Sequence, residues 1–532
     1  MNMKLHILFV WICLATIGCS KNFLDTKPYT FTTVGNLYKN AENAELGLIG
    51  CYNILHDTYF QGEVGALMSN SSTDELFTLN GFSDPNYSPF GLMDVTSQNQ
   101  TLRTNWANLF AGINRTNYLL ENVDAAGVPE PRNTQMKGEG RFLRAMLYTY
   151  LAFQYGAVPV YNSAIQDEKA QRQSLQEVYA FIIEDLDFAY KNLPHRATIT
   201  GRANKWSAAG FLAKVYSYLA ACKKNGVGSG LNFPLNSFDW VNDAEMYAKT
   251  KTITQDIINN SGYKLTAHYD YLFRETTKGY QDEESLFSVR ARTNSNEGNF
   301  ICWVYWQIPV GDILAGGGFG VFRPSGELFF KYDEADTRRA HNLTLYVNRL
   351  SPSQVIDGVN YFNPEPCLNP LRGDYFVAKY RYRDAQAKAI ANGIYWSDGN
   401  FSIIRFADIL LLNAEAEYYT GNEPGARIRL KEVRERSNPG DIEALTTTYH
   451  KADFIEELLD ERSRELCFEG WRKLDLIRFG KYEQTILSLS DNLGAYNTVV
   501  PTLKANVKPS SIWMPIPNSE IELSPLEQNP GY

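Results

Sequence analysis

The sequence predicts a mainly α-helical protein in which irregular, tetratricopeptide-like helical hairpins support a loop-rich half with a few short strands. Three observations lead there. Apolar residues recur at helical spacing in segment after segment, and these segments come in pairs separated by short polar breaks. Between Gly262 and Asn400 the texture changes to short apolar runs, glycines and aromatics. No strict repeat period is visible, so the array is expected to be irregular.

Taken in order, the chain opens with Lys4 and an uncharged run from Ile7 to Gly18, ending at Cys19. That run is shorter than the ~20 apolar residues that cross a hydrocarbon core. Residues 1–18 are therefore expected to be a signal peptide. The stretch Thr16-Ile17-Gly18-Cys19 resembles the lipobox of bacterial lipoproteins, with Thr16 where Leu is most frequent. Cys19 is the expected lipidation site, residues 19–36 a polar tether containing Pro28, and the lipid the sole membrane attachment. A plain signal peptide cut near the same place is the alternative.

Residues 37–261 form the expected N-terminal helical half, and residues 262–532 a C-terminal half with a loop-rich insert and closing helices. Leu37, Ala41, Ala44, Leu48, Cys51, Tyr52 and Leu55 make the first stripe. Further helices are expected at about Trp106–Asn122, Lys137–Tyr155, Leu175–Asn192, Lys205–Ala221 and Asp243–Asn260. The stretch from Arg141 to Tyr155 is apolar on most faces, which predicts a central position. Ile403, Ala407, Leu410, Leu411, Ala414 and Tyr418 resume the pattern, followed by helices near Pro424–Arg436 and Asp453–Cys467. Within the insert, Phe300 to Trp306 is a candidate strand. Phe77 to Arg103 is a second loop-rich region, and loops longer than about 12 to 15 residues are more often functional than merely connecting.

Composition excludes several kinds of chemistry. A net charge of −9 argues against a nucleic-acid surface. Beyond Cys13 in the leader and Cys19, the remaining cysteines are Cys51, Cys222, Cys302, Cys367 and Cys467. Their number is odd, their spacings are long and no CxxC occurs, so core packing is expected rather than disulfides or zinc. The histidines form no HExxH, Gly316 to Gly320 lacks the Lys-Ser/Thr of a phosphate loop, and no GxSxG is present. Neither catalysis nor a cofactor or metal is expected.

The densest charge runs from Glu461 to Arg478. Glu461/Arg464, Arg462/Glu465, Glu469/Arg472, Arg472/Asp475 and Asp475/Arg478 are all spaced i, i+3, which predicts a ladder of opposite charges on a helix. Flanking arginines lower carboxylate pKa values, so scaffold pairing is favoured over an acid catalyst; Glu139, Arg141 and Arg144 read the same way.

Aromatics make up 13% of the chain, and exposed rings are a means of holding sugar rings by stacking. The expected ligand contacts lie in the two loop-rich regions: Phe82, Tyr87 and Phe90 in one, Trp303, Tyr305, Trp306 and Trp396 (or Tyr395) in the other. Asp74, Asn80 and Arg323 are their expected polar companions. For each ring, core packing is the competing reading.

A family resemblance rests on motifs spread along the chain. They include Gly112-Ile113-Asn114-Arg115, Gly138-Glu139-Gly140-Arg141-Phe142-Leu143-Arg144, Tyr155-Gly156-Ala157-Val158-Pro159, and Gly201-Arg202-Ala203-Asn204-Lys205. The C-terminal half adds Arg405-Phe406-Ala407-Asp408, Val433-Arg434-Glu435-Arg436, Glu461-Arg462-Ser463-Arg464-Glu465, and the closing Gln528-Asn529-Pro530-Gly531-Tyr532. In these the chain resembles the SusD/RagB-like outer-membrane nutrient-binding lipoproteins of Bacteroidetes. Gly140 and Ser437 stand where Ala is usual. The resemblance implies four tetratricopeptide-like pairs supporting a loop-rich ligand-binding half. It also implies a surface-exposed, outer-membrane lipoprotein that binds a glycan and delivers it unmodified to a SusC-like TonB-dependent transporter. A peptide ligand, as for RagB-like members, or a purely structural lid on the transporter are the alternatives; a surface hydrolase is the least supported.

Overall fold

The computed structural model describes residues 37–532 apart from 57–71, 79–83, 168, 275–276, 291–306, 308–319, 345, 357–358, 367–373, 381–399, 442–450, 452, 495–497 and 525. The Phe300 to Trp306 strand, the leader and the tether therefore lie outside the described residues.

Helices dominate and follow the expected order. They are α1 (Ala41–Tyr52), α2 (Gln100–Asn122), α3 (Arg132–Tyr155), α4 (Leu175–Asn192), α5 (Lys205–Lys224) and α6 (Asp243–Asn260). After the insert come α7 (Phe406–Tyr419), α8 (Glu423–Glu435), α9 (Phe454–Leu466) and α10 (Arg472–Arg478). Local chemistry explains the starts. Ser174 and Glu177 form a capping box at α4, and Asn204, Asn242, Asn422 and Asp453 cap α5, α6, α8 and α9 through their side chains. Helix α2 begins six residues before the expected Trp106, because Asn99 caps it by accepting from the Leu102 amide and because Thr101 and Leu102 are buried.

Each helix packs on the next, from α1 through α6, and α6 then packs on α7 across the whole insert. The insert is thus looped out of a continuous helical array that α7 resumes. Helix α3 contacts α1, α2, α4 and α5, and nearly every residue from Phe142 to Tyr155 is buried, in agreement with its apolar sequence. Cys51, Cys222 and Cys467 are buried free thiols, as core packing requires.

The strands are short antiparallel pairs. β1 (Leu76–Thr78) pairs with β3 (Phe322–Pro324), β2 (Ser285–Val289) with β8 (Phe401–Arg405), β4 (Leu343–Thr344) with β7 (Phe376–Val377), and β5 (Tyr346–Ile356) with β6 (Val359–Pro366). Strands β2 and β8 close the base of the insert, with Ser285 opposite Arg405 and Val289 opposite Phe401. One sequence expectation changes here. Ile403, taken as the start of a helical stripe, lies in β8, and the helix begins only at Phe406.

The charged segment is buried, and only part of the expected ladder forms. Glu461 and Arg464 pair at 3.0 Å and Asp475 and Arg478 at 3.0 Å. Arg462 instead donates to Asp408 (3.0 Å) and Asp475 (2.8 Å), while Glu465 faces Arg338 at 2.9 Å and Arg405 at 2.5 Å. Glu469 pairs with Lys379 (2.6 Å) and Arg405 (2.8 Å), and Arg472 with Asp74. A break in the helix separates Glu469 from Arg472, since α9 ends at Leu466, Phe468 adopts φ 66° and α10 starts at Arg472. Arg462/Glu465 and Arg472/Asp475, by contrast, lie within continuous helix and are drawn apart by buried partners on neighbouring elements. Buried charges then satisfy one another across elements rather than along one helix. The expected scaffold role of Arg144 and Glu139 holds: Arg144 grips Asp185 through two bonds of 2.7 and 2.9 Å, and Glu139 accepts from Tyr52 and Arg132, each at 2.7 Å.

The chain end is sewn to the N-terminal half. Arg172 donates to the Ala157 and Glu527 carbonyls and to Asn529 Oδ1, at 2.8, 2.6 and 2.7 Å. Asn529 in turn donates to the carbonyls of Tyr155 and Met514.

Candidate functional site

Pairing of β1 with β3 joins the two loop-rich regions, setting Leu76 opposite Pro324, Phe77 opposite Arg323 and Thr78 opposite Phe322. Below the ribbon, the Ser325 amide donates to the Glu75 carbonyl (2.9 Å) and its hydroxyl to the Asp74 carbonyl (2.8 Å). The same hydroxyl accepts from the Glu327 amide and so caps the short helix Gly326–Phe330.

A buried charge cluster anchors this ribbon to α9 and α10. Arg472 donates to both Asp74 oxygens, at 2.8 and 2.6 Å, and Lys331 reaches Oδ2 at 2.5 Å. Burial alone pushes the Asp74 carboxyl up, but Arg472 and Lys331 outweigh it and hold the group well below the usual carboxylate range. Its neighbour Glu75 differs. Burial, reinforced by Asp74, lifts its carboxyl to about 7 against the opposing pull of Arg472 and Lys331. Glu75 Oε1 accepts from the Ser463 hydroxyl at 2.7 Å, and its other oxygen is buried with no hydrogen-bond partner among the described residues.

Above the anchor sits a group of aromatics. Phe329 and Tyr375 stack face to face with centroids 4.4 Å apart and planes at 16°. Phe330 meets Phe329 edge-on at 5.0 Å and is 55% exposed. The Arg339 guanidinium lies 5.1 Å from the Phe329 ring centre, and that of Arg323 lies 4.6 Å from the Phe376 ring centre. An exposed ring backed by a rigid stack offers an apolar face at little entropic cost, and guanidinium groups beside it are donors for hydroxyl or carbonyl oxygens.

The expected contact residues fall unevenly around this surface. Arg323 is in it, buried on β3. Tyr87 is half-buried against the core beside the short helix Ser88–Leu92, whose Phe90 is only 3% exposed. Asp74 is committed to its cations. Phe82, Asn80, Trp303, Tyr305, Trp306 and Trp396 lie outside the described residues, as does Cys19. Sequence reasoning passed over Phe329, Phe330, Tyr375 and Arg339. The signal was Ser325 capping a helix that carries two consecutive phenylalanines, since neighbouring helical residues point about 100° apart and one must face outward.

Helices packed one on the next, with an insert looped out between α6 and α7, define a helical-repeat scaffold protein. Comparison with known proteins makes the class specific. Residues 325–532 match the SusD family, and residues 22–217 match the family described as starch-binding associating with outer membrane. The chain belongs to the SusD-like proteins. It is 24% identical to the SusD-like protein P25 of Formosa agariphila, over 99% of this chain and 98% of that one. A SusD homologue from Bacteroides thetaiotaomicron superposes with a TM-score of 0.76 at 22% identity, covering 94% of this chain and 99% of the other. A laminarin-binding SusD-like protein superposes at 0.70, also at 22% identity, covering 93% and 100%. These superpositions establish the mainly α fold.

Proposed function

We propose that the protein is a cell-surface lipoprotein that captures a glycan and passes it, uncleaved, to a SusC-like TonB-dependent transporter in the outer membrane. In this reading residues 1–18 are removed, Cys19 carries the lipid and residues 19–36 are the tether. The observation that carries the ligand assignment is the β1–β3 pairing, which brings the two loop-rich regions together beside the exposed Phe330 ring and the Phe329–Tyr375 stack. Family membership supports the same reading, since one matching family is described as starch-binding and one structural relative as laminarin-binding. Trp303, Tyr305, Trp306, Trp396, Phe82 and Asn80 are proposed to complete the contact surface, with Tyr87, Phe90 and Asp74 shaping it from beneath. Capture of this kind works by raising local substrate concentration at the pore, so weak binding suffices.

Affinity electrophoresis of residues 20–532 through gels containing starch, laminarin and other polysaccharides tests this, with each glycan checked afterwards for cleavage. Retardation by at least one glycan, without cleavage and lost in Phe330→Ala or Trp303→Ala, is the expected result. Cleavage would refute capture without chemistry, and retardation unchanged in both variants would refute the site.

A further inference from the structure

A cavity of about 760 Å³ opens on the helical array among α4, α5 and α6, within the range of small-molecule sites. Its lining includes Asp187 and Tyr190 from α4, Lys205 and Tyr216 from α5, and Glu245, Lys249 and Asp256 from α6. None of it comes from the loop-rich insert.

Most polar groups in the wall are already arranged. Asp256 accepts from the Tyr190 hydroxyl and from Asn260 Nδ2 (2.6 Å), and Glu245 pairs with Lys249 at 2.8 Å. The Lys205 ammonium lies 4.7 Å from the Tyr190 ring centre, and that of Lys249 lies 5.6 Å from the Tyr216 ring centre. Two groups are left over. The Tyr216 hydroxyl and the half-buried Asp187 carboxylate make no hydrogen bond to another described residue, and both line the cavity open to solvent rather than sealed from it. Burial raises the Asp187 carboxyl, with Lys191 and Lys249 acting in the opposite direction. Open to solvent, both groups are free to exchange water for the polar atoms of a ligand.

The wall also constrains what the ligand is. Three carboxylates and two ammoniums alternate, so a strongly charged ligand meets like charge whichever its sign. A neutral polyhydroxylated ring fits, because each hydroxyl both donates and accepts, and Leu212, Ile253 and the two tyrosine rings supply an apolar face. We propose that this cavity is a second ligand site that takes a neutral saccharide of one or two rings, with Asp187 and Tyr216 contacting its hydroxyls. The site is independent of the loop-built surface.

Saturation-transfer NMR on residues 20–532 with maltose, laminaribiose and cellobiose, and with putrescine as a cationic probe, tests the proposal. Transfer to the ring protons of at least one disaccharide is expected, with affinity reduced about tenfold in Asp187→Ala and also reduced in Tyr216→Phe. It should persist in Phe330→Ala, which removes the exposed ring of the loop-built surface. Tyr216→Phe deletes a single hydroxyl, and an unchanged urea midpoint separates lost binding from lost folding. The proposal is overturned if no disaccharide receives saturation, if both cavity variants bind like the wild type, or if putrescine binds in place of sugar.

Discussion

Glu75 makes the folded protein sensitive to pH in a direction opposite to most carboxylates. Its carboxyl titrates at about 7 in the folded chain against an ordinary 4.5, because burial, helped by the neighbouring Asp74 charge, outweighs Arg472 and Lys331. Below 4.5 both states hold the proton and nothing is lost. Between 4.5 and 7 the unfolded chain releases a proton that the folded chain keeps, so stability falls as pH rises and levels off above 7. A shift of about 2.5 units corresponds to about 3 kcal/mol. Glu75→Gln removes the titration while preserving shape and an acceptor for Ser463. Urea unfolding of wild type and variant from pH 4.5 to pH 8 is the assay. Asp74 stays ionised throughout because its pKa is depressed, and carboxylates common to both proteins cancel in the difference. The stability of the variant relative to wild type should rise by about 3 kcal/mol across that range. A difference that stays flat with pH would refute the reasoning.

Three further outcomes follow from the geometry. Arg405 is buried among Glu284, Glu465 and Glu469, so Arg405→Met should cost about 3–5 kcal/mol by leaving those carboxylates short of a partner; a loss under about 1 kcal/mol in urea unfolding would contradict this. A Cβ on Gly91 would lie 1.5 Å from Thr78 Oγ1, whereas one on Gly50 meets nothing within 4 Å. Gly91→Ala should therefore destabilise by about 1–3 kcal/mol and weaken glycan retardation by displacing β1, while Gly50→Ala should stabilise by about 0.5–1 kcal/mol. Cys19→Ala should move the protein from the membrane fraction to the soluble fraction; continued tight membrane association would exclude the lipid anchor.

Several features were legible because they depend on neighbours in the chain. The stripe through Val178, Ile182, Leu186 and Ala189 defines one buried face of α4, and Ser174 with Glu177 marks its start, so helix and boundary both follow from local spacing. The apolar faces of Arg141 to Tyr155 likewise announced a central helix. Charge spacing misled for a physical reason. An i, i+3 pattern reports proximity only while the helix continues, which fails for Glu469 and Arg472 across the break at Phe468. Even within a helix it loses to buried charges on other elements, as for Arg462, Glu465 and Arg472.

The candidate surface shows the same division. Aromatic richness and two loop-rich regions were readable from composition, and with the motifs they identified a helical scaffold carrying an insert. Which rings share a surface was not readable, because Phe77 meets Arg323 and Asp74 meets Arg472 across hundreds of residues. Local propensity carries no information about such distant partners. Their meeting depends on the helical array closing across the insert, α6 against α7, and on burial that forces each charge to find a countercharge.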